Sequence, residues 1–270
     1  MKKFLLIFAF FLSYSAFAQE LNQDRVTLKT PLTLEAIEGG LEIEFLNHAT
    51  GPVTYKINDG EAQEICSWNN KEILLDKAGD KVTFYGDNDT YTQKNMLFNL
   101  ESGISCSAPC YIYGNIMSLV DSMDYENAKT LTQPHVFDSL FLNNVNIRNK
   151  PGAELFLPAT TLTPNCYNQM FMGCKGLTTA PILPAEYLEE ECYSGMFYGC
   201  SNLSSVTCLT TAMFAQTKDG TMDNIETARC MANWLDGTRP TGVFRKSQDN
   251  LFQYHHYSIP EDWNIVNYEE

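Results

Sequence analysis

Cys166-Tyr-Asn-Gln-Met-Phe-Met-Gly-Cys174-Lys-Gly-Leu177 and Cys192-Tyr-Ser-Gly-Met-Phe-Tyr-Gly-Cys200-Ser-Asn-Leu203 are the two stretches that decide the fold. They match at a constant offset of 26 residues. The match extends upstream, where Leu157-Pro-Ala-Thr-Thr-Leu162 falls over Leu183-Pro-Ala-Glu-Tyr-Leu188. Eleven identities without a gap define an internal repeat. A unit of this length cannot bury its apolar face alone, so copies must stack and share a continuous core.

Worn copies flank the clean pair. Cys230-Met-Ala-Asn-Trp234-Leu235-Asp-Gly237 repeats the pattern at offset 38, one period plus a twelve-residue insertion at about Met213 to Asn224. Phe137-Asp-Ser-Leu140-Phe141 repeats it at offset 30, with four extra residues near Asn149 to Gly152. Divergent end units are what a stacked array requires, because its ends must cover the core. Within a unit, Leu177-Thr-Thr-Ala-Pro-Ile-Leu183 suits a short strand. Asn165 to Cys174 suits one or two helical turns, with Cys166, Met170 and Cys174 on one face and Gly173 at the stop. Leu157, Leu183 and Leu209 are expected to face inward. Phe156, Ile182 and Cys208 then face outward, with Thr179 and Ser205 beside them. Phe156, Thr179, Ile182 and Ser205 are therefore the candidate partner-binding residues, since an exposed apolar row marks a partner site. The competing expectation is that the N-terminal part or the 213–224 insertion covers that row.

These residues resemble the BspA-type leucine-rich repeats of surface and secreted proteins of Bacteroidetes. The family pattern L-x-x-I-x-L-P…A-F-x-G-C-x-x-L is recognisable in Leu183-Pro184…Met196-Phe197-x-Gly199-Cys200-x-x-Leu203, with Met-Phe in place of Ala-Phe and a longer unit. Ile112-Tyr-Gly-Asn-Ile-Met-Ser-Leu119 resembles the leading segment of such proteins. Gly242-Val-Phe-Arg-Lys246 with Ile259-Pro-Glu-Asp-Trp263 resembles their closing segment. The resemblance implies a curved right-handed leucine-rich-repeat solenoid over 102–270, capped at both ends and used for binding, often in adhesion to host or bacterial surfaces.

Residues 25 to 100 lack the repeat. Strand-like runs at Leu32–Ala36, Leu41–Phe45, Val53–Ile57, Glu72–Leu75 and Lys81–Tyr85 are separated by turn signals, and Asp59-Gly60 reads as a hairpin. The expectation is an antiparallel β-sandwich over 19–101, docked on the repeats as their N-terminal cap. The fold class is thus mainly β with short helices, a β-sandwich followed by a short leucine-rich-repeat solenoid of about 26-residue repeats.

The N-terminus reads as an address. Met1-Lys-Lys, an apolar run from Phe4 to Leu12 and Ala16-Phe-Ala18 form a secretory signal peptide over 1–18. No cysteine follows the cleavage point, so a lipid anchor there is not expected. The chain is placed outside the cell or at its surface, with the periplasm the alternative. No later stretch is apolar for long enough to span a bilayer. The 270-residue chain carries a net charge of -15, becoming -17 after cleavage removes two lysines and no acid. Such an acidic chain has no general attraction for nucleic acid.

Nine cysteines remain, an odd number that leaves at least one thiol unpaired. Cys166/Cys192 and Cys174/Cys200 occupy equivalent positions and read as buried thiol ladders rather than disulfides. Cys106-Ser-Ala-Pro-Cys110 sits in a loop-like setting, where both a bridge and free thiols are open. Asp87-Asn88-Asp89 lacks the later Gly and Glu of a calcium loop and reads as a turn. His255 and His256 are adjacent and point to opposite faces of a strand. Nucleophile-elbow, metalloprotease and phosphate-loop motifs are absent, so no catalytic residue, metal or cofactor is expected. The expected function is a secreted or cell-surface binding or adhesion module, monomeric. It recognises a protein or glycan of a host, matrix or bacterial surface through the repeats. The alternative is a carbohydrate-binding accessory protein with its site on the N-terminal sandwich, for which Tyr55, Tyr85 and Tyr91 are candidates.

Overall fold

Strict alternation governs the first third of the chain. In Leu41-Glu-Ile-Glu-Phe-Leu-Asn47 every second residue is buried, as period-two geometry requires of a strand with one wet face. The computed structural model describes residues 28–49, 51–91, 103–211, 229–249 and 259–269, and the backbone of 214–216 and 222–224. Residues 1–18, on which the signal-peptide reading falls, and His255-His256 lie outside the described residues. Within them the protein is mainly β, with several sheets and no closed barrel.

The N-terminal strands are β1 (Thr33–Ala36), β2 (Leu41–Asn47), β3 (Val53–Ile57), β4 (Gln63–Ile65), β5 (Asn69–Leu75) and β6 (Lys81–Gly86). β7 (Ile104–Cys106) and β8 (Cys110–Asn115) follow. Asp59-Gly60 turns β3 into β4 as the sequence predicts, closed by Gly60 N–H donating to Ile57 O at 3.0 Å. One sheet runs β8-β1-β6-β3-β4 and a second runs β5-β2-β7. Their apolar faces meet through rings such as Phe45 and Phe84, 5.2 Å apart. Tyr55 packs inside with Val53, and Tyr91 is fully buried, so neither is available to a sugar. Only Tyr85, half-buried on the outer face, keeps the placement expected of it.

β8 joins this sheet to the repeats. One of its edges pairs antiparallel with β1. Its other edge pairs in parallel with β9 (Ile147–Asn149) and β10 (Leu155–Phe156). Ile112 faces Asn149 and Gly114 faces Leu155, so four residues, 150–153, loop out between two halves of one strand. This is the insertion that the offset of 30 demands. The large sheet therefore continues from strands before residue 101 into strands after it.

The repeated segments are not helical, which corrects the expectation of short helices. Ile116–Leu119 is a single 3-10 turn, capped by the Asn115 side chain. Each unit is instead a ribbon of four-residue turns. Left-handed residues recur at His135, Ser139 and Asn143, then at Asn165, Gln169 and Gly173. They recur again at Glu191, Gly195 and Gly199, and at Arg229, Asn233 and Gly237. These positions are related by the same offsets of 30, 26 and 38. Alternate N–H groups bond within a ribbon, as Met170 N to Tyr167 O. The others reach the next unit, as Tyr167 N to Cys192 O and Phe171 N to Met196 O. Inward residues thus fall at i, i+1, i+4 and i+5, which satisfies the backbone and buries one face at once.

Between the units run two ladders of rings. Tyr91, Phe137, Tyr167, Tyr193 and Trp234 stack with centroids 5.6 to 6.4 Å apart. Phe141, Phe171 and Phe197 stack nearly parallel beside them, at 5.5 and 5.7 Å. Both ladders end on Trp234, which meets Phe244 edge-on. Tyr91 supplies the first rung from the N-terminal part. The hairpin β12 (Phe214–Gln216) and β13 (Met222–Asn224) occupies the twelve-residue insertion. β11 (Ser205–Cys208), β14 (Gly242–Lys246) and β15 (Trp263–Asn267) form a parallel sheet at the C-terminal end.

The described cysteines are free thiols. Burial pushes Cys166, Cys200 and Cys208 up to about 12 from an ordinary 9.0. The unfolded chain ionises these thiols first, so their stabilising contribution is complete below the unfolded value and is lost as pH climbs toward the folded one. The urea midpoint under reducing conditions is expected to stay flat near neutrality and fall between about pH 9 and 12, with a shallower fall in Cys208→Ala.

Candidate functional site

The outward positions of the parallel strands bring short polar side chains into one row. The Asn149 carboxamide oxygen accepts from Thr178 N–H at 2.9 Å, Thr178 hydroxyl at 3.1 Å and Thr179 N–H at 3.1 Å. Its Nδ2 donates to Thr179 O at 2.9 Å. Thr179 bridges to Ser205, which pairs with Val243, which pairs with Asn264. Arg245 extends along this face and donates to Ser205 Oγ at 2.8 Å. Thr179 is exposed and Ser205 half-buried, so the structure places these two predicted residues side by side on an accessible face.

Phe156 and Ile182 differ from expectation. Both are half-buried rather than an exposed apolar row. Phe156 pairs with Asn115 on β8. Ile182 lies in a bulge. Thr179 bridges Ser205 but Leu183 bridges Cys208, so five residues face four. Pro181 sits in that stretch and has no N–H to give the ladder. A shift of one residue exchanges the faces of everything after it. Cys208 is accordingly fully buried and Leu209 half-buried, the reverse of the expected parity.

A second group on the outer face was not anticipated. Tyr113 OH donates to Glu35 Oε2 at 2.7 Å. Lys150, from the four-residue loop, pairs with the same oxygen and lies 4.5 Å over the Tyr113 ring. Burial, with the Glu35 carboxylate beside it, raises the Tyr113 phenol above its ordinary value. The alternation Tyr111-Ile-Tyr113 was the available signal, since it sends both rings to the side opposite Ile112. On the far side of the N-terminal part, Trp68 is 58% exposed and stacks on His48 at 6.0 Å. Its φ of 59° is unusual for a bulky residue and marks a constrained turn.

Asp87-Asn88-Asp89 is a structural tie. Asp87 accepts from Ser122 N–H and hydroxyl, and buried Asn88 accepts from Gly51 N–H while donating to Pro52 O. Among the described residues, no group of three His, Cys, Asp or Glu side chains is placed to hold a metal ion. No helix among them is long and apolar enough to cross a membrane. No protein-family model, curated protein or solved structure matches this chain.

Proposed function

We propose that this is a secreted or cell-surface binding module, a β-sandwich continued by a BspA-type leucine-rich-repeat solenoid. It recognises a protein or glycan of a host, matrix or bacterial surface without a cofactor, as a monomer. The observation that carries this reading is the Asn149–Thr179–Ser205 row. Equivalent positions of successive units present short polar side chains in line on a rigid sheet, with Arg245 half-buried along it. A rigid row of this kind loses little entropy on binding. Arg245 on it is a cation in a chain of net charge -15 and favours an anionic or hydroxyl-rich partner. The signal-peptide reading of residues 1–18 supports the compartment, and the backbone recurrence at 30, 26 and 38 supports the repeat class.

Exposed Trp68 on His48 favours a second reading, a sugar-binding platform on the N-terminal sandwich. Mature chain from residue 19 should be screened against arrayed glycans and matrix proteins, with Thr179→Arg and Trp68→Ala as probes. Binding weakened about tenfold or more by Thr179→Arg, and unchanged by Trp68→Ala, is the expected result. The opposite pattern moves the site to the sandwich and leaves the repeats as a spacer.

A further inference from the structure

We propose that Cys106 and Cys110 are a redox pair that closes to a disulfide across the turn joining β7 to β8. Their sulfurs lie 3.3 Å apart, with Cys110 Sγ donating to Cys106. Asn144 Nδ2 also points at the Cys106 sulfur, at 3.4 Å. Two donors on one sulfur favour its thiolate, the form that attacks a disulfide. Consistent with this, the Cys110 hydrogen bond, aided by that of Asn144, holds the Cys106 thiol below its ordinary value, while Cys110 is raised. The turn is already clamped. Asn146 Nδ2 donates to Cys106 O at 2.7 Å, Cys110 N–H donates to Asn146 O at 3.0 Å, and Ser107 N–H donates to Glu42 O at 2.9 Å. Closure to the ~2.05 Å of a disulfide therefore needs a small movement of two side chains.

The remaining thiols are placed differently. Cys174 and Cys200 donate to the backbone carbonyls of Phe141 and Phe171, each at 3.0 Å. Cys192 hydrogen-bonds to Cys230, but both are fully buried, whereas Cys106 keeps 8% exposure. Cys66 is exposed and is not part of this pair.

With a low-molecular-weight disulfide such as oxidised glutathione, the Cys106 thiolate attacks one sulfur and expels a glutathione thiolate. The Cys110 thiol then loses its proton to that thiolate and attacks the Cys106 sulfur, releasing the second glutathione. The protein loses two electrons and two protons, and one oxidised glutathione becomes two reduced ones. The bond would link β7, held on β2, to β8, held on β1, and so tie the two N-terminal sheets where the repeats begin.

The test is peptide mapping of full-length native protein equilibrated over a range of reduced to oxidised glutathione, with free thiols then blocked. The expected result is loss of two hydrogen masses from the peptide holding Cys106 and Cys110. Cys110→Ser should instead trap glutathione on Cys106. The proposal is overturned if both residues are fully blocked at the most oxidising ratio, or if the mass loss maps to Cys192 and Cys230. The wild-type map alone decides it should Cys110→Ser fail to fold.

Discussion

Phe171→Ala and Phe197→Ala are each expected to destabilise the protein by ~3–5 kcal/mol, read as a lowered urea midpoint at unchanged slope. Both rings are fully buried. Phe171 has a parallel neighbour on each side, Phe141 at 5.5 Å and Phe197 at 5.7 Å. Truncation opens a cavity between three units at once. The ribbons cannot close on it, because Phe141, Phe171 and Phe197 N–H groups are bonded to Met170, Met196 and Trp234 carbonyls. That ladder fixes the spacing between units whatever fills it. Total stability of a domain is ~5–15 kcal/mol, so either variant consumes a large part of it. The double variant should cost less than the sum of the two, since the second truncation enlarges a hole already made. A loss below ~1 kcal/mol in either single variant would mean that the rings are not core.

The repeat was legible because most of its markers are core residues, the matched Leu, Cys, Tyr, Met and Phe positions, joined by Gly173 and Gly199 at one left-handed backbone position. Glycine and asparagine at Asn143, Asn165, Gly173, Gly195, Gly199, Asn233 and Gly237 occupy left-handed positions, which other side chains adopt at a cost. The aromatic and cysteine positions between them fill the core. Offsets of 30, 26 and 38 therefore survive in the sequence and in the backbone alike. The local conformation was harder to read. Cys166, Met170 and Cys174, spaced by four, fit a helix of 3.6 residues per turn and a ribbon of four-residue turns about equally well. The deciding feature is the left-handed residue every fourth position, which a helix excludes.

Face assignment failed where the count along a strand changes. Leu209 looks more apolar than Cys208, but the bulge at Pro181 leaves one residue too many opposite β11 and Cys208 turns inward. Local composition carries no trace of that, because it depends on how two units align. Tyr55 is the opposite case. Val53-Thr-Tyr-Lys-Ile57 alternates plainly, and Tyr55 shares the face of Val53 and must be buried if Val53 is. Lys150 on Glu35 and Tyr113 joins residues 115 apart in sequence, so it awaited the pairing of β8 with both β1 and β9.

Gly114 is the position where one added methyl group should do most harm. Its φ is +91°, and a Cβ there would lie 2.1 Å from Pro31 O, 2.8 Å from Pro31 C and 3.0 Å from Thr30 O. Those are backbone atoms held in place, with Thr30 O accepting from Asn115 N–H and Gly114 N–H donating to Glu154 O. Gly114 also faces Leu155 in the parallel pairing, so it cannot withdraw without breaking the joint between the N-terminal sheet and the repeats. Gly79 separates conformational strain from contact. It has a φ of +84°, and a methyl group added there would meet nothing within 4 Å. Gly79→Ala should cost ~1–2 kcal/mol, the left-handed penalty alone. Gly114→Ala should add ~1–3 kcal/mol of overpacking to that. Urea melts of the two variants measure the difference directly. Equal losses would show that the Pro31 strand yields freely and that the joint at β8 is looser than its hydrogen bonds imply. A larger loss at Gly114 makes the close backbone approach there a condition for the sheet to pass from antiparallel to parallel pairing on a single strand.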